Sequence, residues 1–306
     1  MKFLASIALL LLINCSLFAQ SSFQGILRSQ VSILGVDMSE FTRKLDYSKP
    51  ELASQFKDIY QSLDPAKRQK LETLLQSDPS IAMLLALTPP QGTLYIDGDI
   101  ALAKIIGLGY QVQHYHNMQE DKALIYTASL IDPQMQVTAS YSPKQSQKLT
   151  LEENRHITPE NFTRTLSDKT VQIAGYTCSI STYRPKQAIA PQGALPLSKL
   201  LVYSSEQMPK TINFSHPYYL PEEQGILKIE AFLENQTEPI LSYTISSVNP
   251  QPIGPQQLAF QQSSPLFSLT DMEYSAQVLQ IMFSGMHSLS LPQEQQDDDE
   301  NVDQDY

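Results

Sequence analysis

Lys169–Tyr183 reads KTVQIAGYTCSISTY, two alternating runs on either side of Ala174-Gly175. A two-residue hairpin loop at Ala174-Gly175 pairs Ile173 with Tyr176, Val171 with Cys178 and Lys169 with Ile180. Val171, Ile173, Tyr176, Cys178 and Ile180 then share one face. Thr170, Gln172, Thr177, Ser179 and Ser181 share the other. That is the alternation of an antiparallel sheet with one side on a core and one in water. A three-residue loop ending at Gly175 suits Ala174 better sterically, but it mixes the two faces, so the unmixed register is preferred.

The same pattern extends outward from this hairpin. Strands are predicted at Tyr110–His116, Ala123–Ile131, Gln136–Tyr141, Leu200–Ser204, Thr211–Phe214, Ile226–Leu233 and Ile240–Val248, with a first strand within Phe23–Val36. Leu227, Ile229, Ala231 and Leu233 face one way and Lys228 and Glu230 the other. Leu241, Tyr243 and Ile245 repeat the arrangement. Such one-sided strands need a cover.

Two helical stretches can supply it. Between Pro50 and Leu87 the residues Leu52, Phe56, Ile59 and Leu63 recur at helical spacing. Asp64-Pro65 then caps a second helix carrying Leu71, Leu74 and Leu75, and a third apolar piece, Ile81–Leu87, ends at Pro89-Pro90. Near the C-terminus Met272, Ala276, Leu279 and Phe283, with Met282 and Met286 beside them, form a stripe capped by Thr270 or Ser268 and ended at Gly285. Ile100–Ile106 reads as a short helical turn. Asn249–Pro265, rich in Pro, Gln and Ser, reads as a linker or extended edge segment.

The first nineteen residues carry Lys2, an apolar run from Phe3 to Ile13 and the small-residue ending Ser16-Leu17-Phe18-Ala19. Cleavage after Ala19 as a secretory signal peptide is expected, the rival being a lipoprotein signal at Cys15. The mature chain is then secreted or periplasmic. Cleavage removes one base and no acid, taking the formal charge from −11 to −12, and seven acids lie in Gln293–Tyr306, an acidic tail expected to be disordered. This balance argues against nucleic acid and against an anionic membrane bound through a basic patch. Only Cys178 survives cleavage, so an internal disulfide is impossible. About 287 residues remain, read as one antiparallel-sheet domain over 20–292 with a helical insertion at 50–90 and a C-terminal helix at 270–285.

Lys169, Val171 or Ile173, Gly175, Tyr176 and Cys178 form a K-x-I-x-G-Y-x-C pattern. It is followed in order by Leu200-Leu201-Val202-Tyr203-Ser204 and by the glycine-led Gly225-Ile226-Leu227-Lys228-Ile229-Glu230. Over about Tyr110–Val248 the chain resembles the uncharacterised secreted domain-of-unknown-function and GLPGLI-type families of Bacteroidetes. Leu220-Pro221-Glu222-Glu223-Gln224 departs from the family's tighter Leu-Pro-Gly, and the helical insertion has no counterpart. The resemblance implies a curved antiparallel sheet, a half-barrel similar to that of periplasmic lipoprotein carriers, and no known activity.

Chemistry-bearing clusters are sparse. His114 and His116 lie two apart on a strand, as two zinc ligands could, but no third ligand is spaced to join them, and a half-buried strand explains them as well. Glu152, Glu153 and His156 read as a solvated charged turn more readily than as an acid-base cluster. Cys178, on the apolar face of its hairpin, behaves as a small hydrophobe and not as a nucleophile. No phosphate loop, nucleophile elbow or metalloprotease motif is present. No catalytic residue, metal or cofactor is therefore expected. The fold class is α+β, mainly β: a curved antiparallel sheet or half-barrel with helices on one face. The leading functional expectation is a non-enzymatic binding protein holding a hydrophobic or lipid-like ligand on the concave face through Val171, Ile173, Tyr176, Cys178, Ile180, Leu227, Ile229 and Tyr243. The alternative is a cell-envelope protein with a filled core that engages a protein partner.

Overall fold

A computed structural model describes residues 23–49, 51–77, 88–144, 157–186, 197–216, 220–234 and 236–289. The expected leader, Cys15, the Ile81–Leu87 piece, the Glu152, Glu153 and His156 cluster and the acidic tail lie outside these residues, as do the side chains of Leu74, Leu75 and Met286.

The described residues build one large open sheet of thirteen strands, antiparallel except at one end. Its strands are β1 (Gln24–Ile33), β2 (Val36–Asp37), β3 (Gln91–Asp97), β4 (Ile100–Ile106), β5 (Tyr110–Asn117), β6 (Lys122–Ser129), β7 (Gln136–Tyr141), β8 (Phe162–Ile173), β9 (Tyr176–Pro185), β10 (Leu197–Ser205), β11 (Gly225–Leu233), β12 (Leu241–Pro250) and β13 (Leu266–Ser268). Four α-helices accompany them among the described residues: α1 (Ser39–Lys44), α2 (Leu52–Gln61), α3 (Pro65–Ser77) and α4 (Met272–Leu289). The order is β13-β7-β6-β5-β4-β3-β1-β12-β11-β10-β9-β8, with β2 beside β1. Two meanders, β3–β7 and β8–β12, are therefore joined through the N-terminal strand β1, whose Leu27 has no exposed surface. Within the meanders, the two-residue loops Gly98-Asp99 and Ala174-Gly175 return the chain directly alongside itself.

The hairpin that decides the fold forms as read. Ile173 pairs with Tyr176, Gln172 with Thr177 and Val171 with Cys178. Ala174 and Gly175 both hold positive φ, +49° and +88°, the signature of a type I′ loop whose twist matches the strands. The expected pairing of Lys169 with Ile180 does not form. A bulge between Leu166 and Thr170 puts Leu166 opposite Ser181, letting the edge strand β8 bend away from a flat ladder.

Strand register defines two faces. The core face carries Leu27, Val31 and Ile33 of β1, Leu94 of β3, Ala103 of β4, His114 of β5 and Ala139 of β7, and continues through Tyr243, Ile229, Val202 and Ser181. α1 and α2 close over β1 with Phe41, Leu52 and Ile59, and Phe41 meets Phe56 at a ring separation of 5.0 Å. Asp64 caps α3 as expected, its Oδ1 accepting from the N–H groups of Ala66 (3.0 Å) and Lys67 (3.2 Å). Leu71 of α3 reaches the same core. Helices thus cover part of this face.

Four expectations are corrected. Gln91–Asp97 and Ile100–Ile106 are a strand hairpin turned by Gly98-Asp99, whereas Ile100–Ile106 reads as helical. Ala101, Leu102 and Ala103 each have no exposed surface: the strand is covered on both sides, which removes the period-2 signal. Thr211–Phe214 belongs to a 3-10 turn, Lys210–Phe214. Residues 251–265 are neither a free linker nor an edge but lie across the outer face of β5 and β7. There Gln113 and Gln261 exchange two hydrogen bonds (2.6 and 3.0 Å), Ser263 N–H donates to Thr138 Oγ1 (2.8 Å) and Phe260 meets Tyr115. The outer face is therefore not wholly wet. Finally, α4 turns a different stripe inward. Tyr274 and Ile281, with Val278 and Met282 beside them, pack on Tyr110, Val137 and Ala139, while Met272, Leu279 and Phe283 are exposed at 88%, 47% and 39%.

Candidate functional site

The core face of the sheet is where a ligand was expected, and the described side chains fill it. Leu227 and Ile229 have no exposed surface and Tyr243 has 5%. These three lie within one hydrophobic cluster with Val202, Ile212, Ile226 and Ala231. Cys178 is likewise wholly buried, and Val171, Ile173, Tyr176 and Ile180 are half-buried. Register divides the eight residues. Ile180 lies opposite Tyr203, which lies opposite Lys228, whereas Ser181, Val202, Ile229 and Tyr243 run across the other face. Tyr176 and Cys178 alternate in step with Ile180, yet Cys178 belongs to the same hydrophobic cluster as Leu227, Ile229 and Tyr243, with Val171, Ile173 and Tyr176 packed against it. Burial pushes the Cys178 thiol up to about 11, and its sulfur lies 3.6 Å from the Tyr176 carbonyl. Such a thiol stays protonated and inert near neutral pH.

His114 and His116 do project to one face. Phe214, delivered by the 3-10 turn, stacks on His116 at 5.6 Å with 6° between the rings and meets His114 edge-on at 5.0 Å. His114 Nε2 shares a 2.7 Å hydrogen bond with the Tyr141 hydroxyl. Burial, with a smaller contribution from His116, pushes His114 down to about 3, and burial also lowers His116. Both rings are therefore neutral at physiological pH. His116 Nδ1 is buried with no hydrogen-bond partner among the described residues. Among those residues no three His, Cys, Asp or Glu side chains converge on a possible metal position. The pair works as aromatic packing for Phe214.

A polar clamp that sequence reasoning missed lies at the far end of the same face. Glu222 is 3% exposed. Its carboxylate accepts from Arg164 Nε at 3.1 Å, Arg164 Nη2 at 3.0 Å and the Tyr183 hydroxyl at 2.6 Å. The bidentate guanidinium and the phenol satisfy a charge that would otherwise be costly to bury. Burial, then the carboxylate, raises the Tyr183 phenol, which stays protonated. Glu222 sits in Leu220-Pro221-Glu222-Glu223-Gln224, a stretch with no strand or helix periodicity to mark a buried position. On the outer face Tyr203 donates to Glu230 at 2.6 Å and Lys228 pairs with Glu230 at 2.6 Å. The Glu222 and Glu230 clusters are satisfied internally. None presents a nucleophile beside a base at an open cleft.

No family model and no curated protein matches the chain. Among solved structures it is similar to PNGF-II, at 9% identity and a TM-score of 0.40 over 85% of this chain and 34% of that one. It is also similar to MucB, at 8% identity and a TM-score of 0.36 over 81% of this chain and 61% of that one. A LolA superfamily protein from Nitrosomonas europaea matches at 8% identity and a TM-score of 0.16 over 79% of this chain and 92% of that one. The chain thus spans about a third of PNGF-II and under two thirds of MucB. Among the described residues no helix is long and apolar enough to cross a membrane.

Proposed function

We propose that this chain is a non-enzymatic protein of the cell envelope or its surroundings that acts through its surface on a partner, its sheet serving as a packed scaffold and not as a ligand cradle. The observation that carries this reading is the filling of the core face. Leu227, Ile229 and Tyr243, the residues best placed to hold an apolar ligand, are already enclosed by Val202, Ile212, Ile226 and Ala231. Buried apolar side chains close-packed in this way leave their contacts with one another to be lost before a lipid can enter. The export leader expected from Met1–Ala19 supports the location, and the internal satisfaction of the Glu222 and Glu230 clusters supports a role without catalysis.

The test is lipid extraction of the protein purified without detergent, followed by mass spectrometry. The expected result is no lipid approaching one molecule per chain. A single lipid species recovered at near one per chain would overturn the reading in favour of a carrier.

A further inference from the structure

The outer face of the sheet carries a groove that neither the packed core nor the hairpin explains. It lies where β1, β3, β4 and β12 meet α1, and encloses a volume of about 320 Å³, within the range of small-ligand sites. The chain is acidic, with a formal charge of −11, yet the lining holds three cations, Arg28, Arg43 and Lys104, and no carboxylate. Register explains the convergence: Arg28 of β1 lies opposite Thr93 of β3, and Thr93 opposite Lys104 of β4, so the three alternate onto one surface.

Several basic side chains described in this protein are held by an acid, for example Lys70 by Glu238, Arg164 by Glu222, Lys210 by Glu223 and Lys228 by Glu230. Among the described residues Arg28 and Lys104 form no such ion pair. Lys104 Nζ lies 5.3 Å from the centre of the Tyr95 ring. Arg43 is 3.2 Å from Asp37 with more than half of its side chain exposed, which leaves donors directed elsewhere. Hydroxyl and amide groups of Thr93, Gln30 and Ser247 complete the rim. We propose that this groove binds an oxyanion, specifically the phosphate group of a phosphate ester. A phosphate ester offers two or three non-bridging oxygens to donors arriving from several directions, whereas a carboxylate is satisfied by one guanidinium fork.

The mature full-length chain is titrated by calorimetry with inorganic phosphate at constant ionic strength, and in parallel mixed with vesicles of phosphatidylglycerol or of phosphatidylcholine. The double variant Arg28→Gln, Lys104→Gln is compared with a charge-matched control, Lys57→Gln, Lys67→Gln, both sets being exposed or half-exposed positions. Binding of phosphate, or of phosphatidylglycerol vesicles alone, is expected to fall by about 10- to 100-fold in the groove variant and to persist in the control, because a hydrogen bond to a charged group is worth one to two factors of ten. Phosphate binding identifies a soluble ester as the source; vesicle binding alone identifies a lipid headgroup. Absence of saturable binding in both arms, or equal weakening in the control, would overturn the proposal.

Discussion

Ala174 occupies the left-handed region at φ +49°, where its Cβ crowds the following carbonyl and costs about 1 kcal/mol relative to glycine. The hairpin accepts this cost because the alternative loop would mix apolar and polar faces. Ala174→Gly should therefore stabilise the protein by about 0.5–1 kcal/mol in urea unfolding, an unusual sign for a glycine introduced beside a strand. Destabilisation would show that the loop is not of the I′ type. His114 carries a second prediction at this scale. Its pKa in the fold is about 3 against about 6.5 unfolded, so the unfolded chain binds the proton more readily between those values. The stability contribution of the neutral ring is present above pH 6.5 and declines as pH falls towards 3. Lowering the pH from 7 to 5 should cost about 2 kcal/mol from this site. The loss should be absent from His114→Gln, whose stability against pH is to be compared with that of the parent by denaturant titration.

Among the elements, α4 shows how an amphipathic pattern can be read correctly as helix and wrongly as orientation. Its apolar residues nearly encircle it, and the sheet takes Tyr274 and Ile281 in preference to Leu279 and Phe283 because the tyrosine hydroxyl can reach a partner, the side chain of Thr127. Tyr274→Ala or Ile281→Ala should cost about 2–5 kcal/mol, and Leu279→Ala less than about 1 kcal/mol. Equal losses at all three positions would contradict this packing. The hairpin at Ala174-Gly175, the one-sided β11 and the Asp64-Pro65 cap were legible because each is a local rule obeyed locally. β4 was not, since a strand covered on both faces by distant segments has no alternation to read. The clamp at Glu222 and the basic groove were not, since they join residues brought together by sheet order, which spacing along the chain does not encode.

At the scale of the molecule, two meanders are stitched through β1 into a sheet whose core face is partly covered by helices and by Phe214, and whose outer face is strapped by residues 251–265 and grooved beside Arg28 and Lys104. The central claim is that the core face is packed interior. A side chain lining an open ligand groove can be truncated at little cost, whereas one enclosed by neighbours leaves a cavity. Equilibrium urea unfolding of Ile229→Ala decides between them most directly. The packed core predicts a loss of about 2–5 kcal/mol with an unchanged denaturant slope, and a loss below about 0.5 kcal/mol would contradict it.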